Sequence, residues 1–256
     1  MDPKNFFKAD NLNVSIYPDD KAMGKAAADF TAEAIQNTLL SKGKANIIIA
    51  TGASQFTFYE ALKGKSDIDW EKVTVFHLDE YLGMSDQHPA SFRKYLKERI
   101  LNDVRPGTIH LLNGDATDPE KEVRRYELLL EKVEIDLACI GIGENGHIAF
   151  NDPPVADFKD PKLVKIVELD RECRQQQLGE GWFSSLSDVP THALSLTVPA
   201  IMRSKTISCV VPDKRKADAV YKTVHDEITE KCPATILRTH PDCTLFLDIN
   251  SASRLI

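Results

Sequence analysis

The chain has 256 residues, of which 42% are hydrophobic and 28% charged, a composition typical of globular proteins. It holds only 12 glycines and 13 prolines, which excludes collagen-like and low-complexity classes. The net charge of −7 argues against a nucleic-acid partner, because proteins that bind nucleic acid usually carry a basic surplus.

The cysteines and the apolar runs indicate the cellular location of the protein. Five scattered cysteines without a CxxC pair predict reduced thiols in the cytoplasm. The N-terminus shows no signal-peptide pattern, and every apolar run is shorter than the roughly 18 residues that span a bilayer. No repeat or linker divides the sequence. We therefore expect a cytoplasmic protein without a membrane partner, folded as a single domain over residues 1–256.

Helix and strand patterns alternate along the chain. Apolar residues at three-and-four spacing predict a helix over 21–42 that ends at Lys42-Gly43-Lys44. The β-branched run at 45–50 predicts a strand buried on both faces, and a helix over 55–64 follows a small-residue turn. The same criteria predict further strands over 73–78, 135–143, 163–169, 193–198, 206–211 and 243–248, and further helices over 88–101, 119–133 and 214–224.

This alternation predicts an α/β fold: one three-layer domain with a mostly parallel sheet and helices on both faces. Ligands of such folds bind beyond the carboxyl ends of the strands. The loops at those ends are therefore the candidate functional sites.

The first such loop is Thr51-Gly52-Ala53-Ser54. Small residues let a ligand approach the backbone, and the start of the next helix offers free N–H groups to a phosphate. The alternative is a tight turn in which Ser54 caps the helix. The loop lacks the Lys of a Walker A motif.

The second loop begins with Asp79 and Glu80, directly after the strand at 73–78. A partly desolvated carboxylate at a strand end has a raised pKa and can act as a base. The alternative is that Asp79 caps the next segment and Glu80 is solvated.

The third loop, at 141–154, is the richest in polar groups. His147 is a natural proton shuttle near neutral pH, and a neighbouring carboxylate can orient it. The glycine spacing matches a dinucleotide motif, but NDPP follows instead of an apolar helix, so we expect no nicotinamide cofactor. The alternative is a polar surface loop. The residues concerned are Gly141, Gly143, Glu144, Asn145, Gly146, His147, Asn151 and Asp152.

Three cations, Lys214, Arg215 and Lys216, follow the strand at 206–211 and lie at a helix start. An anionic ligand there would offset their unfavourable interaction with the helix dipole, although a solvated basic patch is the alternative. The histidines show no metal-ligand spacing, so we predict no metal site, and His77 within a strand is expected in the core.

Together these segments resemble the glucosamine-6-phosphate deaminase/isomerase family, which is related to the 6-phosphogluconolactonases. The resemblance implies a single α/β domain that converts glucosamine 6-phosphate to fructose 6-phosphate and ammonia without an organic cofactor. The matching pieces are TGAS at 51–54, VTVFHLDEYLGMSDQHPASF at 73–92, HLLNGDA at 110–116, GIGENGHIAFNDPP at 141–154, VPTHALSLTVPAIM at 189–202, and Lys216.

The resemblance also implies roles for single residues. Asp79 would move the proton from carbon 2 to carbon 1 of the open sugar, and His147 would shuttle a proton to the ring oxygen. Asn145 and Asp152 would assist ring opening. The predicted substrate and phosphate contacts are Thr51, Gly52, Ala53, Ser54, Glu80 and Lys216.

The chain departs from the family pattern at several positions. Asn145 stands where some members have Asp, and Asp152 stands where Glu is usual. The family's phosphate-binding arginine is missing from the stretch 174–183, where Glu180 or Gly181 occupies its place and Arg174 is the nearest arginine. The pair of serines in the family's allosteric site is replaced by Val155-Ala156.

These departures leave the substrate open within the sugar phosphates. The first alternative function is a galactosamine-6-phosphate deaminase/isomerase, the second is a 6-phosphogluconolactonase, and the third is a non-catalytic sugar-phosphate sensor. Asp79 favours the deaminases, because lactone hydrolysis needs no base at carbon 2. The oligomeric state stays open, with a homo-oligomer among the alternatives.

Overall fold

The computed structural model describes residues 3–256 and shows two β-sheets with helices around the larger one. The strands are β1 (Asn5–Ala9), β2 (Leu12–Tyr17), β3 (Ala45–Ile49), β4 (Val73–His77), β5 (Asp79–Tyr81), β6 (Thr108–His110), β7 (Leu137–Ile140), β8 (Val164–Glu168), β9 (His192–Leu196), β10 (Thr206–Val211) and β11 (Cys243–Asp248). The α-helices are α1 (Asp20–Lys42), α2 (Phe56–Lys63), α3 (Phe92–Leu96), α4 (Asn102–Val104), α5 (Pro119–Glu131), α6 (Arg171–Gly179), α7 (Val198–Met202) and α8 (Ala217–His225).

The larger sheet has eight strands in the order β1-β2-β11-β10-β7-β3-β4-β6. Its strand pairs are parallel except for the antiparallel pair β1–β2. The interior strand β3, between β7 and β4, is buried along its whole length, as its β-branched run predicts. The predicted α/β class with a mostly parallel sheet is confirmed.

Helices cover both faces of this sheet and make the three predicted layers. One apolar cluster packs α1 and α2 on one face, and another packs α5, α7 and α8 on the opposite face. His77, at the end of β4, is fully buried, and this burial lowers its pKa to about 3. The expectation of a core histidine is confirmed.

The end signals of α1 explain its length. The Asp19 side chain accepts a hydrogen bond from the Ala22 N–H, which caps the first turn. Gly43 follows the last turn with φ of 73° and donates its N–H to the Leu39 carbonyl. The break predicted at Lys42-Gly43-Lys44 is confirmed.

The second sheet corrects part of the predicted topology. The strands predicted at 163–169 and 193–198 form β8 and β9, which pair antiparallel with each other and with β5 in the order β5-β9-β8. Both lie outside the larger sheet. Residues Asp79–Tyr81 are thus a strand and not a loop, and this strand joins the two sheets directly after β4.

The helix predicted at 88–101 is also corrected. It begins at Phe92, because Ser91 caps it by accepting a hydrogen bond from the Lys94 N–H, and a π-helical segment follows at Lys97–Leu101. The hairpin β1–β2, the strand β6 and the helices α6 and α7 were not predicted. No helix within residues 3–256 is both long and apolar enough to cross a membrane.

Candidate active site

A cavity of about 400 Å³ lies beyond the carboxyl ends of the parallel strands, where folds of this class bind ligands. The loops after β3, β7, β10 and β11 line it, together with the start of β5 and one face of α6. The polar side chains and glycine-containing loops that line the cavity include Thr51–Ser54, Asp79, Gly141–Gly143, His147, Gln176, Gln177, Glu180 and Lys216.

Asp79 lies in the wall of this cavity and is only 6% exposed. Its carboxylate accepts no hydrogen bond from any residue within 3–256, although its backbone is fixed by the pairing of β5 with β9. Burial raises the pKa of Asp79 well above its usual value, and the nearby carboxylates of Glu80 and Asp152 add to the effect. A buried, unbonded carboxylate of this kind accepts a proton readily.

His147 and Asp152 form a buried pair in the loop after β7. Nδ1 of His147 lies 2.7 Å from Oδ1 of Asp152, although the contact is too bent for a well-formed hydrogen bond. The Asn145 amide donates to the same Oδ1 at 2.9 Å, and its oxygen accepts the His147 N–H at 3.0 Å. His147 lines the cavity, whereas Asp152 and Asn145 lie behind it. The two residues therefore orient the imidazole toward the cavity.

The carboxylate of Asp152 is fully buried, and burial alone raises its pKa. The charge of the adjacent His147 and the hydrogen bond from Asn145 oppose this effect and leave the pKa of Asp152 below its usual value. Asp152 is thus the acid of this site that stays ionised, in contrast to Asp79.

Gly143 explains why this loop is rich in glycine. A Cβ atom at position 143 would lie 2.2 Å from Cε1 and Nε2 of the His147 ring. Only glycine leaves room for the imidazole, which packs directly against the backbone. Asn151 also has a structural part here, since its amide donates to the carbonyls of Ile148 and Leu196 and ties the loop to β9.

Glu80 does not have the predicted contact with a substrate. Its side chain is fully buried, does not line the cavity, and points to the start of α3. There it accepts hydrogen bonds from Ser91 Oγ at 2.8 Å and from the backbone N–H groups of Phe92 and Arg93 at 3.1 and 3.0 Å. We correct its predicted role to that of a helix anchor, because the side chain after Asp79 points to the opposite face of β5.

The loop Thr51–Ser54 lines the cavity as predicted and leads into the 3₁₀ turn Ala53–Gln55 and then α2. Gly52 has φ of 101°, a conformation that favours glycine, and its carbonyl accepts a hydrogen bond from the Tyr95 hydroxyl. Ser54 accepts a hydrogen bond from the Gln55 amide. The turn thus exposes backbone N–H groups and a hydroxyl to the cavity.

Lys216 lines the same cavity from the 3₁₀ turn Lys214–Lys216, and it is only 6% exposed. Among the residues from 3 to 256, its ammonium has neither a hydrogen-bond partner nor an ion-pair partner closer than 4.0 Å. Burial lowers the pKa of Lys216. Arg174, by contrast, donates to the carbonyls of Leu186 and Val189 and does not line the cavity. It is not available to a phosphate.

Helix α6 closes the cavity on one side, and the sequence pattern did not reveal its part. Gln176 accepts the Glu144 N–H at 2.9 Å, and Gln177 accepts the Tyr81 hydroxyl at 2.7 Å. Both glutamines and Glu180 line the cavity. The sequence feature that could have revealed this part is the run RQQQLGE, in which polar residues three and four apart share a helix face.

Helix α6 also brings Cys173 to the pair of His147 and Asp152. The ligand atoms of His147, Asp152 and Cys173 lie within 4.8 Å of one another, a group that could hold a metal ion. Burial raises the pKa of the Cys173 thiol, with Asp152 as the next cause. The protonated thiol therefore suits a donor to Asp152. The predicted absence of a metal stays a prediction.

Comparisons with known proteins place this arrangement among sugar-phosphate enzymes. A family model described as glucosamine-6-phosphate isomerases/6-phosphogluconolactonase matches residues 18–246. A glucosamine-6-phosphate deaminase from an Exiguobacterium species is 39% identical over 237 residues, which cover 91% of this chain and 90% of that protein. Another from Bacillus cytotoxicus is 34% identical and covers 86% of this chain and 81% of its own length.

Solved structures agree with this placement. A structure described as a monomeric glucosamine-6-phosphate deaminase matches with a TM-score of 0.85 and 32% identity, covering 94% of this chain and 98% of that one. A putative 6-phosphogluconolactonase from Neisseria gonorrhoeae, at 18% identity, has a TM-score of 0.73 over 92% of this chain and 98% of its own, and shares the fold. The chain belongs to the family of glucosamine-6-phosphate isomerases and 6-phosphogluconolactonases.

Proposed function

We propose that the cavity carries out the reaction of a glucosamine-6-phosphate deaminase, with Asp79 as the base and with His147 as the group that opens the sugar ring. The chain is such a deaminase by its similarity to relatives of that name over most of its length. The reaction consumes glucosamine 6-phosphate and water and gives fructose 6-phosphate and ammonia. The observation that carries the residue assignment is the unbonded, buried carboxylate of Asp79 in the cavity wall.

Asp79 takes the proton from carbon 2 of the open-chain sugar and returns it to carbon 1. The electron pair left at carbon 2 forms the double bond between carbons 1 and 2, and oxygen 1 takes up a proton from water, which gives an enolamine. Return of the proton to carbon 1 leaves an iminium ion at carbon 2. Water hydrolyses the iminium ion and releases ammonia. The raised pKa of Asp79 supports this role, because a carboxyl group must bind the proton long enough to return it.

His147 opens the ring before this step by moving a proton to the ring oxygen. Asp152 and Asn145 hold the imidazole through Nδ1 and the backbone N–H, so that Nε2 is left for the substrate. Asp152 stays ionised and stabilises the protonated imidazole. The amide of Asn145 contributes orientation and no charge.

The phosphate lies between the loop Thr51–Ser54 and Lys216. The loop offers backbone N–H groups and the Ser54 hydroxyl at a helix start, and Lys216 supplies the positive charge. Because Lys216 is buried and has no close partner, it interacts with an anion in a poorly screened environment.

The organisation of the protein outside the site completes the proposal. A single domain over residues 1–256 remains our interpretation. A cytoplasmic location is supported by the five cysteines, which are all free and buried. A homo-oligomer remains open, although the related solved structure is described as monomeric.

Ammonia release tests the proposed substrate. The purified chain is incubated with glucosamine 6-phosphate, galactosamine 6-phosphate and 6-phosphogluconolactone, and ammonia and ketose are measured together. We expect equal amounts of ammonia and fructose 6-phosphate from the first compound and little turnover of the others. Preferred turnover of galactosamine 6-phosphate or of the lactone would replace the proposal with the corresponding alternative, and no turnover at all would favour a sensor.

A further inference from the structure

The phosphate end of the cavity contains an acidic side chain. Glu180 follows the last residue of α6 and lines the cavity. Its Oε2 lies 4.0 Å from the point where a Cβ atom on Gly52 would be, which places the carboxylate against the phosphate loop. A carboxylate there repels the phosphate that this loop is built to hold.

The charges around this carboxylate show what it balances. Arg215 is already paired, since it forms hydrogen bonds to Asp213 Oδ2 at 2.9 and 3.0 Å and lies 3.5 Å from Glu144. Lys216 has no such partner within residues 3–256. Glu180 lines the same cavity as Lys216, and of the acidic side chains its charge raises the pKa of Lys216 most, ahead of Glu144 and Asp213.

We propose that Glu180 is an internal counter-ion of Lys216, that the phosphate of the substrate displaces it, and that it thereby weakens the binding of phosphate compounds. This inference rests on the proposed function, because it takes the loop Thr51–Ser54 and Lys216 as the phosphate site. Glu180 is then a specificity-determining residue: every ligand must bind tightly enough to replace it.

The backbone around Glu180 suits such a displacement. Gly179 and Gly181 flank it, and Gly181 has φ of 84° with open space where a side chain would be. A single hydrogen bond from the Gln176 amide, at 3.1 Å, holds the carboxylate in place. The side chain can therefore leave the cavity at the cost of one partly exposed hydrogen bond.

The test compares Glu180→Gln with the wild type. The substitution keeps the shape and removes the charge. Calorimetric titration with inorganic phosphate gives a Kd that does not depend on turnover, and initial rates with glucosamine 6-phosphate give KM. We expect both constants to fall by about tenfold, the order expected when one like charge is removed from the neighbourhood of a bound anion.

Glu172→Gln is the matched control, since Glu172 lies on the same helix, is exposed and does not line this cavity. It should leave both constants unchanged, and thermal melting should show that both variants fold. Unchanged or weaker phosphate binding by Glu180→Gln contradicts the proposal, as does the absence of phosphate binding to either protein. If the wild type is inactive but Glu180→Gln binds phosphate more tightly than the wild type, the proposed reaction is rejected and the role of Glu180 as counter-ion is supported.

Discussion

The two ends of the cavity are built differently. At the catalytic end, Asp79, His147 and Asp152 are buried, and the strand β5 and the loop after β7 hold them against the second sheet. At the phosphate end, Lys216 and Glu180 lie on short turns at the ends of helices. In the proposed mechanism the catalytic groups are therefore in place before substrate arrives, whereas the phosphate end exchanges one anion for another.

The two ends also treat charge differently. At the catalytic end, burial raises the pKa of Asp79, whereas the charge of His147 and the hydrogen bond from Asn145 lower the pKa of Asp152 despite its burial, so that one group suits a proton carrier and the other a fixed charge. At the phosphate end, Arg215 is paired with Asp213, whereas the buried Lys216 has no ion-pair partner within 4.0 Å among residues 3–256 and is left to bind an anion. Removing a catalytic group should therefore reduce turnover, and removing a phosphate group should change affinity.

Asp79→Asn should give the largest effect. The amide keeps the shape but cannot accept the proton from carbon 2, so kcat should fall by about 10²–10⁴-fold. KM should change little, because Asp79 is not one of the proposed phosphate contacts. Steady-state ammonia release measures both constants. Turnover close to wild type would remove Asp79 from the mechanism and would break the proposed separation of the two ends.

The same variant should be more stable than the wild type at high pH. The folded pKa of Asp79 is raised above the unfolded value of about 3.9, so ionisation costs folding free energy as the pH rises through and above that value. Asparagine removes this cost. The gain in Tm should be present at pH 8 and vanish at low pH, where the aspartic acid is protonated in both states. An equal or lower Tm at pH 8 would contradict the assigned desolvation.

His147→Gln should come next in size. It should lower turnover of cyclic glucosamine 6-phosphate by about 10²-fold, the usual contribution of a general acid, and should slow carbon-2 proton exchange on an open-chain analogue much less. Rates of ammonia release and of deuterium exchange give the two values. His225→Gln is the control, because His225 ends α8 and does not line the cavity. Equal losses in both assays would show that His147 does more than open the ring.

The contrast between the two ends also explains what could be predicted from the sequence. The buried run at 45–50 and the strand at 73–78 have strong local signals, and the residues directly after such strands must lie at the carboxyl edge. Asp79, His147 and the loop Thr51–Ser54 were therefore predicted and do line the cavity. The predicted substrate contact of Glu80 was wrong, because successive side chains of a β-strand point to opposite faces, so that Asp79 and Glu80 cannot both face the cavity.

The second sheet and α6 could not be predicted in the same way. Strands β8 and β9 look like any other apolar run, and only their pairing partner separates them from the main sheet. The residues of α6 reach the cavity through contacts over long sequence distances, such as Gln177 with Tyr81. Local patterns hold no information on such contacts, and for this reason Glu180 was noticed only as a departure and not as a cavity residue.

Lys216→Ala tests the phosphate end. The ammonium makes a charge-assisted contact with the phosphate, so its loss should raise KM by roughly tenfold to a hundredfold. Because the catalytic end is held separately, kcat should fall much less. Lys214→Ala is the matched control, since Lys214 lies in the same 3₁₀ turn but is exposed and does not line the cavity. An unchanged KM in a folded Lys216→Ala protein would place the phosphate elsewhere.

The last prediction concerns the region of the family's allosteric site, where we expect an activator to have no effect. Val155 and Ala156, which replace the hydroxyl pair of the family's allosteric site, offer no side-chain donors, and Val155 packs against the apolar cluster around Tyr81. Lys165, the nearest partly buried cation, already donates to the Val155 carbonyl at 2.7 Å and pairs with Asp160 at 2.9 Å.

An activator must bind one state more tightly than another, typically by about 1–3 kcal/mol, and Val155 and Ala156 supply no side-chain hydrogen-bond donor for that difference. We therefore expect hyperbolic kinetics and no activation by N-acetylglucosamine 6-phosphate. Substrate titrations with and without the compound at millimolar concentration measure this. Competitive inhibition by this compound would not contradict the prediction, because the compound carries the same phosphate as the substrate and can bind at the phosphate end. A sigmoidal curve that the compound makes hyperbolic would show instead that the two ends are coupled through a second site.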